Sequence, residues 1–202
     1  MKFSVGWHSV VNDYAISGGW TCDGKLLVVS DSAGGVYVFN GISGELLWSK
    51  TKAHNQGGLA TAVHPFENKF VTTGQDGKVL IWETHKSNLQ KVINLGNNWV
   101  ENAAWSQNGK LLAVSCSRKV HVFNEVGDEI WFSENHQSTV GNIAWSISNE
   151  LATTSYGRVS FFDGFSGEVK QQLDWKGSLV SMILSPNSDI VVCGSQDNTV
   201  HF

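Results

Sequence analysis

A short strand centred on a valine, entered through a small polar turn, recurs five times along this chain. The copies read Ala33-Gly-Gly-Val36-Tyr-Val-Phe39, Asp76-Gly-Lys-Val79-Leu-Ile-Trp82, Ser117-Arg-Lys-Val120-His-Val-Phe123, Tyr156-Gly-Arg-Val159-Ser-Phe-Phe162 and Asp197-Asn-Thr-Val200-His-Phe202. Successive valines lie 43, 41, 39 and 41 residues apart. A unit of that length holding several short strands cannot cover both of its broad faces by itself. It must stack on copies of itself, so the repeat dictates the architecture before any single residue is considered.

Within the second copy, residues 59–64, 69–73, 78–82 and 89–93 read as four strands. Pro65-Phe-Glu-Asn68 and Gly74-Gln-Asp-Gly77 supply the turns. The second and third strands are β-branched or aromatic at most positions and are expected to be buried on both faces. The other copies follow the same plan. Their second strands begin at Lys25, Lys110, Glu150 and Ile190, and Trp20, Trp105 and Trp145 close three first strands. The third-to-fourth turn is nearly repeated letter for letter, Asn40-Gly-Ile-Ser-Gly-Glu45 against Asp163-Gly-Phe-Ser-Gly-Glu168, with Asn124-Glu-Val-Gly-Asp-Glu129 a looser version. Lys50, Lys91 and Lys170 fall on the outer strands, where charge discourages stray pairing. This is an all-β fold: a β-propeller of four-stranded antiparallel blades, about five repeats of roughly 41 residues. It reads as one domain over 1–202, with units near 1–50, 51–93, 94–133, 134–173 and 174–202.

Composition narrows the class. The 202 residues are 41% hydrophobic and 11% aromatic, enough to build a core, and the net charge of -4 lacks the basic clusters that nucleic-acid binding needs. Cys22, Cys116 and Cys193 are odd in number and widely spaced, so neither a disulfide framework nor a zinc site is expected, and a reducing, cytoplasmic setting is the reading. No apolar run is long enough for a signal peptide or a membrane-spanning helix.

The pattern resembles the WD-repeat β-propeller family over nearly the whole chain. The resemblance implies a structural tetrad in each blade: a His before the first strand, a Ser or Thr in the second, an Asp in the next turn and a Trp ending the third. Only the second unit holds all four, as His54, Thr72, Asp76 and Trp82. His136 lies nine residues before Trp145, as His54 does before Val63, but the turn at Tyr156 lacks the Asp. Asp197 is kept while Cys193 replaces the hydroxyl, Ser117 stands at an Asp position, and Gly96 lies near a His position. Phe39, Phe123 and Phe162 stand for the Trp. The chain therefore resembles a divergent and apparently truncated member. Phe202 stops short of a closing aromatic, and five units fall below the ring size common in the family. Met1–Val5 is expected to serve as an outer strand for the last blade, or the open blade edges would allow self-association.

No catalytic constellation emerges. The seven histidines show no HxH or HExxH spacing, no GxSxG is present, and Gly74-Gln-Asp-Gly-Lys78 joins two strands where a phosphate loop would need a helix. No metal site and no cofactor are expected. The resemblance implies a non-catalytic scaffold for protein–protein interaction that binds a protein or peptide through its loops, without nucleic acid or membrane. Candidate partner-binding residues are Trp99, Tyr14, Glu101, Gln75, Gln196, Tyr156 and Arg158, all near loops of one propeller face. Packing of Trp99 on a neighbouring blade is the competing reading for that side chain. The other functional readings are a remnant of a larger WD-repeat protein without independent activity, and a propeller-type hydrolase.

Overall fold

Alternating strand direction and tight polar turns give the chain a run of antiparallel meanders. The computed structural model describes residues 6–202, and among them every regular element is a β-strand. The strand expected of Met1–Val5 lies outside the described residues. The chain divides into two compact units, Met1–Trp99 and Val100–Phe202.

The first unit holds two four-stranded sheets. One is β1 (Ala15–Trp20), β2 (Leu26–Asp31), β3 (Val36–Asn40) and β4 (Leu46–Lys50); the other is β5 (Gly58–Val63), β6 (Lys69–Gly74), β7 (Lys78–Glu83) and β8 (Leu89–Asn94). The inner strands β2, β3, β6 and β7 are the buried ones, as their β-branched and aromatic content requires. Leu26, Val28, Val36 and Val38 of the first sheet share one core with Phe70, Leu80 and Trp82 of the second.

The second unit begins with β9 (Val100–Trp105), β10 (Leu111–Cys116), β11 (Lys119–Asn124) and β12 (Glu129–Phe132). It continues through β13 (Asn142–Trp145), β14 (Glu150–Asp163), β15 (Val169–Leu184), β16 (Val191–Ser195) and β17 (Val200–His201). Here the structure departs from the expected boundaries. β14 spans both the second- and third-strand positions, with Gly157 (φ 74°) between them, and β15 runs from the fourth-strand position into the next repeat. The expected turn at Tyr156-Gly-Arg158 is drawn into the ladder because β15 offers Ser178 and Asp174 as partners for Tyr156 and Arg158. Leu111, Val120 and Val122 pack with Ile143, Trp145, Leu151 and Phe162. Ala152 and Val159 pack with Leu179, Met182 and Cys193.

In a meander, the first–second and third–fourth turns lie at one end of each sheet, here termed the hairpin end. The second–third turns and the links to the next sheet lie at the other, the linker end. Gly41 N donates to Lys25 O (2.7 Å), Thr84 N to Asn68 O (2.9 Å) and Gly164 N to Asn149 O (3.1 Å), so the two turns of each hairpin end are tied together. Gly164 allows this approach, since a Cβ there would lie 2.2 Å from Asn149 O and 2.7 Å from the Trp145 ring.

Neighbouring sheets are fastened by an indole. Trp48 on β4 donates Nε1–H to Thr84 O (2.9 Å), and Trp131 on β12 donates to Gly164 O (2.8 Å), each reaching the turn after the next sheet's third strand. Trp48 lies against Phe70 and Trp82, and Trp131 against Phe162. Trp7 treats the first sheet's hairpin in the same way, donating to Gly41 O (3.0 Å) beside Phe39. An indole supplies apolar area and one donor together, which suits a contact with greasy sides and a carbonyl at its end. Trp131→Ala is expected to cost the second unit about 3 kcal/mol. Trp131→Phe, which keeps the ring and loses the hydrogen bond, should cost about 1 kcal/mol. Urea unfolding with hydrogen exchange read over 100–202 checks both; an unchanged Trp131→Phe would show that the bond contributes nothing, and equal losses in the two variants that the ring contributes nothing.

Candidate functional site

The four residues of the second-sheet tetrad are linked in series. The Trp82 indole N–H donates to Thr72 Oγ1 (3.0 Å), Thr72 Oγ1 lies 3.0 Å from His54 Nε2, and His54 Nδ1 lies 2.9 Å from Asp76 Oδ1. Proton direction follows from chemistry. The indole can only donate, so Thr72 accepts there and sends its single hydroxyl hydrogen to Nε2, which leaves the ring hydrogen on Nδ1 facing the carboxylate. Asp76 also accepts from Asn55 N (3.0 Å) and Lys78 N (3.3 Å), closing the turn before β7. Burial lowers the His54 pKa against the pull of Asp76, so the ring is held neutral. Burial works to raise Asp76, but His54 and the two backbone N–H groups outweigh it and keep the carboxyl below its ordinary range.

The other sheets solve the same turn with different parts. In β13–β14, His136 Nε2 meets Thr153 Oγ1 at 3.0 Å and Nδ1 meets the Arg118 carbonyl at 3.0 Å, a backbone oxygen where the second sheet has Asp76. In the first sheet, Asp31 accepts from Gly35 N (2.6 Å), Ala33 N (3.1 Å) and the Tyr37 hydroxyl (2.7 Å). The sequence reading missed this pair, because Asp31 sits two positions before the expected acid. In the third sheet, Glu101 Oε2 accepts from Ser117 N (3.1 Å). Gly96 was expected near a histidine slot, but Leu95 occupies it. Leu95 N donates to Gly77 O (2.9 Å) as His54 N does to Gly34 O (3.0 Å) and His136 N to Arg118 O (2.8 Å). Asp197 binds its own turn at Thr199 N (3.2 Å).

The proposed partner-binding residues separate into two groups. Tyr14, Trp99 and Tyr156 project outward, with 80%, 52% and 53% of their surface exposed. Three others are engaged within the protein. Glu101 caps the Ser117 turn, and burial raises its carboxyl pKa. Arg158 Nε pairs with Asp174 Oδ1 at 2.7 Å, and Gln75 Oε1 accepts from Gly57 N at 3.3 Å. Gln196 is exposed, and its N–H donates to Ser178 O (3.0 Å). Tyr14 and Trp99 belong to the first unit, and Glu101, Tyr156, Arg158 and Gln196 to the second.

None of the three cysteines forms a disulfide among the described residues. Burial, with Glu101 nearby, pushes the Cys116 thiol up to about 11, and burial also raises Cys193, so neither has thiolate character at neutral pH. Among the described residues, no group of three or more His, Cys, Asp or Glu could hold a metal ion. No helix among them is long and apolar enough to cross a membrane.

A family model described as WD domain, G-beta repeat matches residues 45–83 and 168–202. The first match runs from the end of one sheet through the third strand of the next, and so includes Trp48 and the whole tetrad. A chain in a structure titled "Crystal Structure of Mitotic Checkpoint Complex" superposes with a TM-score of 0.85 at 20% identity. That match covers 95% of this chain and 61% of the other, so the present chain spans about three fifths of its length. Among curated proteins, none matches this chain. The two repeat matches and the superposition agree with the stacked four-stranded antiparallel sheets described above, and the fold is that of a β-propeller similar to the WD-repeat kind.

Thr72→Val removes the only group that joins His54 to Trp82 and leaves two buried polar atoms unmatched. The expected loss is about 2–4 kcal/mol in denaturant unfolding. The pH dependence has a definite sign. His54 and His136 both have lowered pKa values, so the unfolded chain binds more protons than the folded one as acid is added. Their contribution is complete above the ordinary histidine value of about 6.5 and is lost as pH falls below it. Melting temperature should therefore drop between neutral pH and mild acid, and a flat profile there would contradict the neutral-ring assignment.

Proposed function

We propose that this chain is a non-catalytic platform for protein–protein interaction, and that the linker end of each unit offers exposed aromatic side chains to a protein or peptide partner. The observation that carries the reading is Tyr14. Its side chain is almost wholly in solvent, yet its segment is pinned. Ser32 N donates to Tyr14 O (2.8 Å), Tyr14 N to Asp13 Oδ1 (2.8 Å) and Asn12 N to the Tyr37 hydroxyl (3.1 Å). Tyr37 is in turn anchored on the buried Asp31. A large aromatic group held on an ordered backbone loses little freedom on binding, which is the favourable condition for an interface anchor.

Trp99 in the first unit and Tyr156 in the second support the same reading by exposure. Tyr156 is also fixed through its N–H to Ser138 Oγ (2.7 Å). Arg158, Glu101 and Gln75 act in this reading as supports that hold turns still. That a solved chain of this fold belongs to a protein complex agrees with the class of partner. Cysteines that are odd in number, widely spaced and in no disulfide among the described residues favour a reducing, cytoplasmic setting.

The full chain, immobilised and offered cell extract, tests the platform. At least one retained protein should fall about tenfold in recovery with Tyr14→Ala or Trp99→Ala, while circular dichroism and melting temperature stay near those of the parent. If quantitative mass spectrometry finds no retained protein sensitive to either change, the linker end is not the binding surface.

A further inference from the structure

The hairpin end of the second unit carries apolar side chains that the linker-end reading leaves without a role. Val126 lies at the tip of the β11–β12 turn, Phe165 at the tip of the β14–β15 turn and Ile147 in the β13–β14 turn, with 59%, 53% and 53% exposure. Their backbones are fixed. Asn124 Oδ1 accepts from Val126 N (3.1 Å) and Asp128 N (2.8 Å), and Asp163 Oδ1 accepts from Phe165 N (3.0 Å) and Ser166 N (2.9 Å). Ile147 N donates to Ser188 Oγ (3.0 Å). The Trp131 indole on Gly164 O and the Gly164 N–Asn149 O bond bring these turns beside one another. Isolated exposed apolar residues need no explanation. A repeated turn position is different: Ile42 in the first unit occupies the slot of Phe165 and is almost fully exposed.

The same turns are acidic. Glu125 and Asp128 share the turn of Val126, Glu129 follows it with Oε1 2.6 Å from His121 Nδ1, and Glu150, Asp163 and Glu168 stand in the turns of Ile147 and Phe165. Lys110 and Lys170 are the nearby cations, and Lys170 Nζ is already 3.2 Å from Glu168. At the linker end of this unit the signs are mixed, with Arg118, Arg158 and Lys176 alongside Glu134, Asp174 and Asp197. The negative field thus gathers where the apolar tips project.

We propose that the hairpin end of the second unit is a docking surface for a cationic segment of a partner protein, one whose lysines or arginines are interspersed with apolar side chains. Charge complementarity selects this occupant. Phosphate-bearing surfaces, nucleic acid and anionic lipid, are repelled by the carboxylates. A purely apolar partner would strip water from those carboxylates without giving them a counter-charge. A basic, apolar-spaced segment meets both features, with its apolar side chains between Val126, Ile147 and Phe165 and its cations on the surrounding acids.

The probe is a short fluorescein-labelled peptide of lysines interspersed with leucine and tryptophan, titrated into the full chain by fluorescence anisotropy. Two control peptides carry glutamate for lysine, or alanine for leucine and tryptophan. The lysine–leucine–tryptophan peptide should bind and weaken with rising salt, while both controls bind about tenfold more weakly or not at all. Val126→Ser with Phe165→Ser, and separately Glu125→Lys with Asp128→Lys, should each weaken binding about tenfold. Tyr14→Ala should leave it unchanged, which separates this surface from the linker end. Ile147→Ser gives an independent reading if the double apolar variant fails to fold, as judged by circular dichroism. Absent binding, equal binding of the lysine–alanine control, or affinity indifferent to the apolar substitutions would each overturn the proposal.

Discussion

A four-stranded sheet with apolar residues on both inner strands has two broad surfaces to hide, and its own turns can cover neither. Within each unit, stacking sheet on sheet meets that demand, and the contact is fastened at its rim by a tryptophan from the outer strand. Trp48 and Trp131 each place a ring on the aromatic residue that ends the next sheet's third strand and deliver an N–H to the carbonyl one turn beyond. The hydrogen bond forms only at one register and one distance. Non-directional burial, which drives stacking, thereby gains a fixed alignment. The alignment of the hairpin-end turns rests on these bonds.

A second constraint shapes the linker ends. The turn between second and third strands leaves backbone N–H groups that must find acceptors, and each sheet supplies one by different means. Asp76 does so in the second sheet, Asp31 in the first and Glu101 in the third, while in the next sheet Ser138 Oγ accepts from Tyr156 N. The complete tetrad is therefore one solution among several. Apolar or backbone substitutes at the other turns avoid burying an unmatched charge, which would cost far more than the lost bond contributes. Loops held in this way can present side chains without first ordering them, the physical basis of the platform reading.

The fold was largely legible in the residues. Repeated valines, turn dipeptides and Trp20, Trp105 and Trp145 closing first strands place the strands of the first three sheets to within a residue or two. The boundaries blur at β14 and β15, where the segment Asp174-Trp-Lys-Gly-Ser178 continues the ladder, because pairing with β14 satisfies backbone groups that a loop would give to water. The candidate site was less legible. Glu101, Arg158 and Gln75 looked like surface recognition groups, yet each bonds within the protein. Trp48 and Trp131 carried a signal that could have been read, a tryptophan three residues after the carboxylate that follows a turn glycine, at Glu45 and Asp128.

Period, turn chemistry and hydrophobic pattern lie along the chain and are set by local sterics, so the sequence by itself determined the propeller architecture, the strand order and the one complete tetrad. Which polar side chains face inward is decided by partners distant in sequence. Asp31 finds Tyr37 once the β2–β3 hairpin closes, and His136 finds Arg118 and Trp131 finds Gly164 only once the sheets are stacked. The tertiary structure alone decided which turns are capped by carboxylates and which by a hydroxyl. It also decided which aromatics stay in water, because a polar or aromatic group is buried only where a neighbour offers the matching atom or surface.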